Sequence, residues 1–321
     1  MIDKKRELGQ YYTENNPFKL KLFREWITLI EDDVILEPFA GKNNIPRLMK
    51  ESGYDFKWRC YDIEPASDDV LKRDTIEDFP IGYNVCITNC PYLGKSSARR
   101  RNIDYQWDED DLYKVCLNKM LTYCSYVAAI IPESFITQNI HRDRLYGIIQ
   151  LECQMFNDTD CPVCLAMFVP YAAKETKIYS MDNYLGTLEE LTTFDLQTQI
   201  HNDWTFNDKN GSVGVKAVDS KKKADCRFMD GNLIDPEKIK YTNRSFTRIS
   251  GLSKHINKNQ FISKCNEILQ EYRLKTKDIM LTSFKGLRSD GKFRRRLDWS
   301  TIRKIMDKVL EESYSSSPQI P

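Results

Sequence analysis

The spacing of apolar residues in the first half of the chain switches between that of helices and that of strands. Between Phe18 and Ile30 they recur every three or four residues, which predicts a helix, and Pro17 suits its first turn. Short apolar runs predict strands at 34–36, 57–62, 84–88 and 126–131. Further helices are predicted at 45–52 and 112–123. Strands alternating with helices predict an α/β fold with a doubly wound, mostly parallel sheet.

This alternation is lost after about residue 170. Residues 183–250 carry short apolar segments among many Asn, Asp and Thr residues, so we predict loops and small strands there. Helical spacing returns at 258–273 and 299–310. We therefore predict a first domain over 1–175, a second, α+β domain over 176–314, and a disordered tail over 315–321.

Composition indicates a globular protein with reduced cysteines and no membrane-spanning segment. The chain has 321 residues, of which 41% are apolar, enough for a substantial buried core. The ten cysteines accompany no export signal, so we expect reduced, mostly buried thiols. The N-terminus is charged and no apolar stretch is long enough to span a bilayer, so we expect no membrane association and a cytoplasmic location.

Charge is distributed unevenly along the chain, although the net charge is only +1. Residues 241–304 contain 16 Lys and Arg against 5 Asp and Glu, a local net charge of +11, whereas residues 1–240 have a net charge of −8. Local positive charge is what a nucleic-acid-binding surface requires. A solvated helical face is the alternative explanation.

Candidate chemistry follows the predicted strands. Acidic residues lie next to three of them: Glu37 follows the first and leads into a turn with Gly41, Asp62 ends the second, and Asp74 precedes the third. In an open parallel sheet, ligands bind beyond the carboxyl ends of the strands, where the strand order reverses. Asp62 is placed to accept the hydroxyls of a ribose, and Asp74 to accept from an adenine amino group. Each position alone is a weak signal, and their order and spacing strengthen it.

Five segments in this order resemble the motifs of gamma-class amino-methyltransferases of DNA. They are Gly9-Gln10-Tyr11-Tyr12-Thr13, Glu37-Pro38-Phe39-Ala40-Gly41, Tyr61-Asp62-Ile63-Glu64-Pro65, Asp74 and Asn89-Cys90-Pro91-Tyr92. These enzymes are the N6-adenine methyltransferases of bacterial and viral restriction–modification systems. The resemblance covers about residues 5–170 and implies a Rossmann-like S-adenosylmethionine methyltransferase fold, followed by a DNA-recognition domain where the basic segment lies.

The resemblance implies S-adenosyl-L-methionine as cofactor and S-adenosyl-L-homocysteine as product, and it implies roles for individual residues. Cofactor contacts fall on Tyr12, Thr13, Glu37, Pro38, Phe39, Ala40, Gly41, Asp62, Ile63, Asp74 and Asn89. Catalysis falls on Asn89, Cys90, Pro91 and Tyr92. Tyr92 and Phe168 are expected to stack on the two sides of the extruded target base, although Phe168 also suits a core strand.

The chemistry of the Asn89–Tyr92 turn can be stated from its own groups. An aromatic amino group is a poor nucleophile because its lone pair is delocalised into the ring. The Asn89 side-chain oxygen and the Cys90 backbone carbonyl could bind its two hydrogens and direct the lone pair towards a sulfonium methyl. Alignment then supplies most of the rate enhancement, and the base must first be flipped out of the duplex.

Two positions depart from the usual motifs. Asn43 stands where a second glycine is common, and Asn tolerates positive φ better than most residues. Cys90 replaces a proline, but the backbone carbonyl is retained. A nucleophilic Cys90, as in cytosine C5 methylation, is disfavoured because that chemistry resembles a Pro-Cys order.

Two further segments have open interpretations. Cys161-Pro162-Val163-Cys164 has the spacing of half a zinc site or a redox pair, but no second pair accompanies it, so we predict a buried strand and no metal. The polar loop from Gly94 to Asp111 either clamps phosphate or is a solvated connector.

We expect double-stranded DNA as the partner, a monomeric protein, and a cognate restriction endonuclease that shares the DNA site. The candidate DNA-binding residues are Arg99, Arg100, Arg244, Arg248, Lys285, Arg288, Arg294, Arg295 and Arg296. N4-cytosine methylation, methylation of a release-factor glutamine and a non-catalytic DNA-binding subunit are the alternatives. The basic segment and the Gly9–Thr13 motif argue against the glutamine substrate, and intact Asn89 and Asp62 argue against a non-catalytic subunit.

Overall fold

A computed structural model describes residues 8–157, 159–240 and 243–315, and the chain divides into two compact units. The first unit ends at Leu188 and the second begins at Glu189. This division falls later than the predicted boundary after residue 175, because two strands within 177–187 continue the sheet of the first unit. Of the tail predicted over 315–321, Ser315 is the last residue of a helix, and residues 316–321 lie outside the described residues.

The first unit alternates helices and strands as the apolar pattern predicts. Its helices are α1 (Lys21–Ile27), α2 (Asn44–Glu51), α3 (Lys95–Arg100) and α4 (Leu112–Tyr123). Its strands are β1 (Val34–Glu37), β2 (Lys57–Asp62), β3 (Leu71–Lys72), β4 (Val85–Asn89), β5 (Tyr126–Pro132), β6 (Leu145–Gln150), β7 (Val163–Phe168), β8 (Lys177–Ser180) and β9 (Asn183–Thr187). Short 3₁₀ helices lie at Pro17–Lys19, Glu133–Thr137 and Arg142–Arg144.

These nine strands form one sheet in the order β3-β2-β1-β4-β5-β7-β6-β8-β9. β1 pairs in parallel with both β2 and β4, so the strand order reverses between β1 and β4. β7 is antiparallel to both of its neighbours, β5 and β6. The structure confirms the predicted doubly wound, mostly parallel sheet.

The central strands are the core of this unit. Every residue of β4 and of β7 is buried, as expected for strands that are covered on both faces. α1 buries Leu22, Phe23 and Trp26, and the Trp26 indole N–H donates to the Phe168 carbonyl at 3.1 Å. A buried indole N–H needs such a partner, so this contact fixes where α1 packs on the sheet.

The second unit is α+β, as predicted. Its helices are α5 (Leu188–Thr193, which begins at the last residue of the first unit), α6 (Lys258–Lys275) and α7 (Trp299–Ser315). Its strands are β10 (Thr205–Phe206), β11 (Val213–Lys216), β12 (Arg227–Asp230), β13 (Phe246–Ser250), β14 (Thr282–Leu287) and β15 (Phe293–Arg296), with 3₁₀ turns at Gly231–Leu233 and Pro236–Lys238. β10-β13-β11-β12 form one sheet and β14-β15 a hairpin. Apolar faces of α6 and α7 pack into a single core with the four-stranded sheet. No helix within the described ranges is long and apolar enough to cross a membrane.

Candidate active site

A cavity of about 310 Å³ lies in the first unit, at the carboxyl ends of the strands where the strand order reverses. Of the residues predicted to bind cofactor or to catalyse, those that line it are Tyr12, Phe39, Gly41, Asp62, Ile63, Asp74, Asn89, Cys90 and Pro91. The cofactor residues and the Asn89 turn therefore share one cavity. Thr13, Glu37, Pro38, Ala40 and Tyr92 are not part of its wall.

Residues 9–14, which we call the N-terminal strap, cross the Asn89 turn. The Tyr92 amide donates to the Gly9 carbonyl at 2.9 Å, and the Glu14 amide donates to the Met155 carbonyl at 3.0 Å. Gly9 has φ +66°, and a Cβ there would lie 2.6 Å from the Tyr92 carbonyl oxygen. Only glycine fits this approach, so the strap is held directly against the turn.

Asn89 is held by both ends of its side-chain amide. Its Nδ2 donates to the Tyr11 carbonyl and its Oδ1 accepts from the Tyr92 hydroxyl. The Tyr92 hydroxyl also lies 3.0 Å from the Ile130 carbonyl, and burial raises the pKa of Tyr92 well above its ordinary value, so the hydroxyl keeps its proton. These contacts fix which way the amide faces. A carbonyl oxygen has two lone pairs, so Asn89 Oδ1 can accept one more hydrogen bond.

The Tyr92 ring does not face the cavity. It stacks on the Tyr11 ring, with centroids 5.7 Å apart and planes at 19°, and meets Phe156 edge-on at 6.1 Å. Tyr11 lines the cavity. Of the stacked pair, Tyr11 is therefore the ring that reaches the cavity, with Tyr92 behind it.

Phe168 is a core residue, which is the alternative that the sequence left open. It is fully buried at the carboxyl end of β7 and pairs with Val127 at the start of β5. Because β7 runs antiparallel, its carboxyl end lies at the edge of the sheet opposite to Asn89, so Phe168 cannot hold a base there. Phe156, which precedes β7, is the aromatic at the correct edge. The reversal of β7 is the signal that would have identified it.

Asp62 joins three segments beneath the cavity. Its Oδ1 accepts from Gln10 Nε2 at 2.9 Å and from the Glu64 amide at 2.8 Å, and its Oδ2 accepts from the Gly41 amide at 2.8 Å. Burial raises the pKa of Asp62 above its ordinary value. A carboxylate offers about four acceptor positions. Three internal donors thus leave capacity for a ribose hydroxyl.

The loop after β1 depends on two residues with positive φ. Gly41 has φ +52°, and a Cβ there would lie 2.6 Å from the Tyr12 ring. Asn43, in place of the usual second glycine, has φ 60°, the left-handed conformation that Asn tolerates. The Lys42 ammonium lies 4.9 Å from the Tyr12 ring centroid. The departure at Asn43 therefore leaves the turn intact.

Glu37 supports this loop from below. It is fully buried, and its Oε1 accepts from the Thr88 hydroxyl and, at 3.3 Å, from the Phe39 amide. Burial raises its pKa well above the ordinary range. Glu37 does not line the cavity, and its predicted contact with a cofactor stays a prediction.

Asp74 lines the cavity from the segment between β3 and β4. Its Oδ1 accepts from the amides of Ile76 and Glu77 at 3.1 and 3.2 Å. Those two bonds use one oxygen, so Oδ2 remains available for a ligand amino group. Asp74 and Ile76 both line the cavity.

The cysteines at and near the turn are structural. Burial raises the pKa of Cys90 well above its ordinary value, so its thiol is protonated and is not a nucleophile. All ten cysteines are free, and all but Cys153 and Cys161 are buried. Cys164 lies within β7. The part of the chain that the structure describes contains no cluster of His, Cys, Asp and Glu that could hold a metal ion.

Three of the candidate DNA-binding arginines have internal partners instead. Arg248 donates to the Gly211 carbonyl at 3.1 Å, Arg288 bonds Asp219 at 2.9 Å, and Arg295 bonds the Ser283 hydroxyl at 2.6 Å. All three are less than 8% exposed: Arg248 7%, Arg288 7% and Arg295 3%. Their predicted contact with DNA is therefore corrected to a role within the second unit.

The other six candidates are not buried, although the Arg294 guanidinium donates to the Lys285 carbonyl at 3.0 Å. Arg99, Arg100, Arg244 and Lys285 are exposed, while Arg294 and Arg296 are partly buried. β15 alternates, with Phe293 and Arg295 buried and Arg294 and Arg296 on the other face. The Arg294 guanidinium lies 4.8 Å from the Phe284 ring centroid. Within 8–157, 159–240 and 243–315, no carboxylate forms an ion pair with any of the six.

Comparison with known proteins finds distant structural matches only. No family model matches the chain, and no curated protein matches it. Among solved structures, it is similar to a Listeria monocytogenes protein assigned to the class I S-adenosylmethionine-dependent methyltransferases (14% identity, 50% of this chain, 62% of that chain, TM-score 0.37). It is also similar to a type I restriction–modification methyltransferase subunit from Streptococcus thermophilus (10% identity, 57% of this chain, 52% of that chain, TM-score 0.39). A further match is the M protein of the type I restriction enzyme EcoKI (14% identity, 84% of this chain, 72% of that chain, TM-score 0.36).

The aligned part spans less than two thirds of the length of the first two of these proteins. At such identities and TM-scores the matches carry no argument about activity. The strand order and the cavity at the reversal point are the observations on which the functional argument rests.

Proposed function

We propose that this protein is a site-specific DNA methyltransferase that transfers a methyl group from S-adenosylmethionine to N6 of a flipped-out adenine, within a restriction–modification system. The observation that carries the proposal is the shared cavity. Asp62 and Asp74 lie in the same cavity as the Asn89-Cys90-Pro91 turn, at the reversal point of the sheet.

The residues around the cavity fit S-adenosylmethionine. Asp62 retains an acceptor position for the ribose, and Asp74 Oδ2 can accept from the adenine amino group. Because Gly41 has no side chain, the Tyr12 ring can pack directly against the loop after β1. When bound, this cofactor supplies an electrophilic methyl group on a sulfonium sulfur. Phe39 and Ile63 add apolar contact area.

The Asn89 turn has the acceptors that an exocyclic amino group requires. Asn89 Oδ1 has a free lone pair, and its orientation is fixed by Tyr92 and by the Tyr11 carbonyl. The Cys90 carbonyl is the second acceptor. Two acceptors draw the amino nitrogen towards a tetrahedral form, so its lone pair can attack without a prior proton transfer to a base. Preorganised groups of this kind need no rearrangement during the reaction.

The second unit supplies the proposed DNA-recognition surface. Correcting for the buried arginines leaves four cations without carboxylate partners in the described part of this unit: Arg244 and Lys285, which are exposed, and Arg294 and Arg296, which are partly buried. Such cations suit phosphate contacts. We propose that the protein binds double-stranded DNA as a monomer, with a cognate endonuclease that recognises the same site.

The test is methylation of an unmodified plasmid of mixed sequence, followed by sequencing with modification-sensitive reads. We expect N6-methyladenine at one position of a single recurring sequence, and no signal from Asn89→Ala. N4-methylcytosine at a recurring site would show that the substrate is cytosine and not adenine. The absence of any DNA modification, with the cofactor bound, would reject the proposal.

A further inference from the structure

Two arginines of the second unit lack the partners that the others have among the described residues. Each of the other arginines in this unit donates a side-chain hydrogen bond within the protein: Arg227, Arg248, Arg273, Arg288, Arg294, Arg295 and Arg303. The side chains of Arg244 and Arg296 form neither a hydrogen bond nor an ion pair with any residue that the structure describes. Their charges are therefore available to a ligand.

These two arginines are neighbours, because one residue bonds both of the segments that carry them. The Ala217 amide donates to the Ser245 carbonyl at 2.8 Å, and the Ala217 carbonyl accepts from the Leu297 amide at 2.8 Å. Ser245 directly follows Arg244, and Leu297 directly follows Arg296. The fold thus brings together two cations that are far apart in the sequence.

The charge of Arg244 acts on Arg296. Burial and the positive charge of Arg244 lower the pKa of Arg296 from its ordinary value, while the carboxylate of Asp298 acts in the opposite direction. Asp298 accepts instead from the Thr301 amide at 2.8 Å and from the Thr282 hydroxyl at 3.3 Å. Both arginines stay protonated, as arginine does in proteins. Two like charges side by side repel, and an anion bound between them would offset the repulsion.

Arg296 is held at one end and open at the other. Its backbone forms a β-bridge with Val218, and its Nε is buried. The residue as a whole is only partly buried, and Arg244 is exposed. The donors that remain for a ligand are therefore the terminal Nη groups of the two side chains. Arginine Nη groups match the geometry of phosphate oxygens.

We propose that Arg244 and Arg296 together bind a single phosphate of the DNA backbone through their guanidinium groups. This proposal rests on the proposed function and makes it more specific, because the two arginines share one phosphate and do not contact one each. The surrounding charge favours a polyanion over a free phosphate ion, since residues 241–304 have a local net charge of +11.

The test is fluorescence anisotropy of the full chain with labelled duplex DNA at several salt concentrations. The variants are Arg244→Gln, Arg296→Gln and the double variant. Each single variant should bind about tenfold more weakly, with a slope of log affinity against log salt that is smaller by about 1. The double variant should also lose only about 1 in slope, because the same phosphate is lost, and its affinity should fall by less than the product of the two single losses.

Arg303→Gln is the matched control. Arg303 is partly buried, like Arg296, but it donates to the Asn202 carbonyl at 3.4 Å. Its slope should equal that of the wild type. The melting temperature of the DNA-free protein separates phosphate binding from a structural role. Because Arg244 is exposed and repels Arg296, Arg244→Gln should not lower that temperature.

Two results would overturn this inference and leave the proposed function intact. One is a slope that falls by about 2 in the double variant, which would show that the arginines contact separate phosphates. The other is a wild-type slope in both single variants. A wild-type protein that binds no duplex DNA would reject the proposed function, and this inference with it.

Discussion

The two units use charged residues in opposite ways. In the first unit, acidic and amide side chains at strand ends converge on one cavity, and Asp62, Asp74 and Asn89 all retain an acceptor for a ligand. In the second, the buried carboxylate of Asp219 bonds Arg273 and Arg288 within the unit. The sequence located candidate site residues only in the first unit, where the ends of the strands fix the positions of the side chains.

The physical reason is the length and conformational freedom of the side chain. Asp and Asn are short, so the end of a parallel strand fixes where their oxygens lie. Arg is long, and its guanidinium can fold inward to a carboxylate as easily as it can face phosphate. A run of basic residues such as 292–296 therefore does not reveal which of its members are exposed.

The largest expected effect is on the buried ion pairs. Asp219→Asn would remove the buried carboxylate that Arg273 and Arg288 share and leave them only Asp278 and Asp290, and we expect it to lower the free energy of unfolding by about 3–5 kcal/mol. Chemical denaturation of the variant and the wild type measures this change in the free energy of unfolding. Asp290→Asn is the matched control, because Asp290 pairs with the same Arg288 but its side chain is 51% exposed, and it should have a small effect. Equal losses in the two variants would contradict the buried network.

Lowering the pH should reduce the stability of the fold through the same carboxylate, Asp219. Burial tends to raise the pKa of Asp219, but the hydrogen bonds and charge of Arg273 outweigh it and hold the pKa well below its ordinary value. A lowered folded-state pKa stabilises the fold above the unfolded pKa of about 4 and loses that contribution as the pH falls further. We expect Asp219→Asn to flatten the decline in stability below about pH 4 relative to wild type. A decline of the same steepness in both proteins would count against this assignment.

The second effect concerns the cavity of the first unit. Asn89→Ala removes the oriented amide, and we expect turnover to fall by about 10²–10³-fold or more, the scale of losing one preorganised hydrogen-bonding group. DNA binding should persist. Single-turnover methylation with tritiated cofactor gives the rate, and residual methylation within a few-fold of wild type would reject the role of Asn89.

A smaller effect tests the aromatic surface of the cavity. If the target base stacks on Tyr11, Tyr11→Ala should weaken binding of target DNA by on the order of 1–3 kcal/mol, and Tyr11→Phe should be close to wild type. A 2-aminopurine at the target position reports base extrusion by fluorescence. Tighter binding by Tyr11→Ala would show instead that Tyr11 blocks access to Tyr92.

The smallest effect separates exposed from buried arginines. Arg244→Ala should reduce the slope of log affinity against log salt by about 1, as expected for one phosphate contact. Arg288→Ala should destabilise the second unit, and in protein that remains folded the slope should be unchanged. Fluorescence anisotropy at several salt concentrations measures both slopes. A reduced slope in Arg288→Ala alone would reverse the assignment.

Much of the first unit could be predicted from sequence because its strands are buried and their ends are acidic. The position of Asn43 in a left-handed turn and the convergence of Asp62 with Asn89 follow from that pattern. Phe168 could not be placed, because the apolar pattern of β7 gives no direction and its antiparallel course decides which edge it reaches. The division at Leu188 was missed because β8 and β9 extend the sheet without intervening helices.

Tyr105 illustrates a different limit. It lies in a polar loop without a recognisable motif, and only the closed course of that loop brings the residue to the cavity wall. Likewise, sequence assigned Tyr92 to the base, whereas the structure shows its hydroxyl at Asn89 and its ring behind Tyr11. Both positions depend on contacts between distant segments.

The most direct test of the central claim is to identify the modified nucleoside. Unmethylated DNA is incubated with the protein and S-adenosylmethionine, digested to nucleosides and analysed by mass spectrometry, with Asn89→Ala in parallel. We predict N6-methyl-2′-deoxyadenosine from the wild-type protein and none from the variant. N4-methyl-2′-deoxycytidine alone, or no methylated nucleoside from a protein that binds the cofactor, would contradict the account.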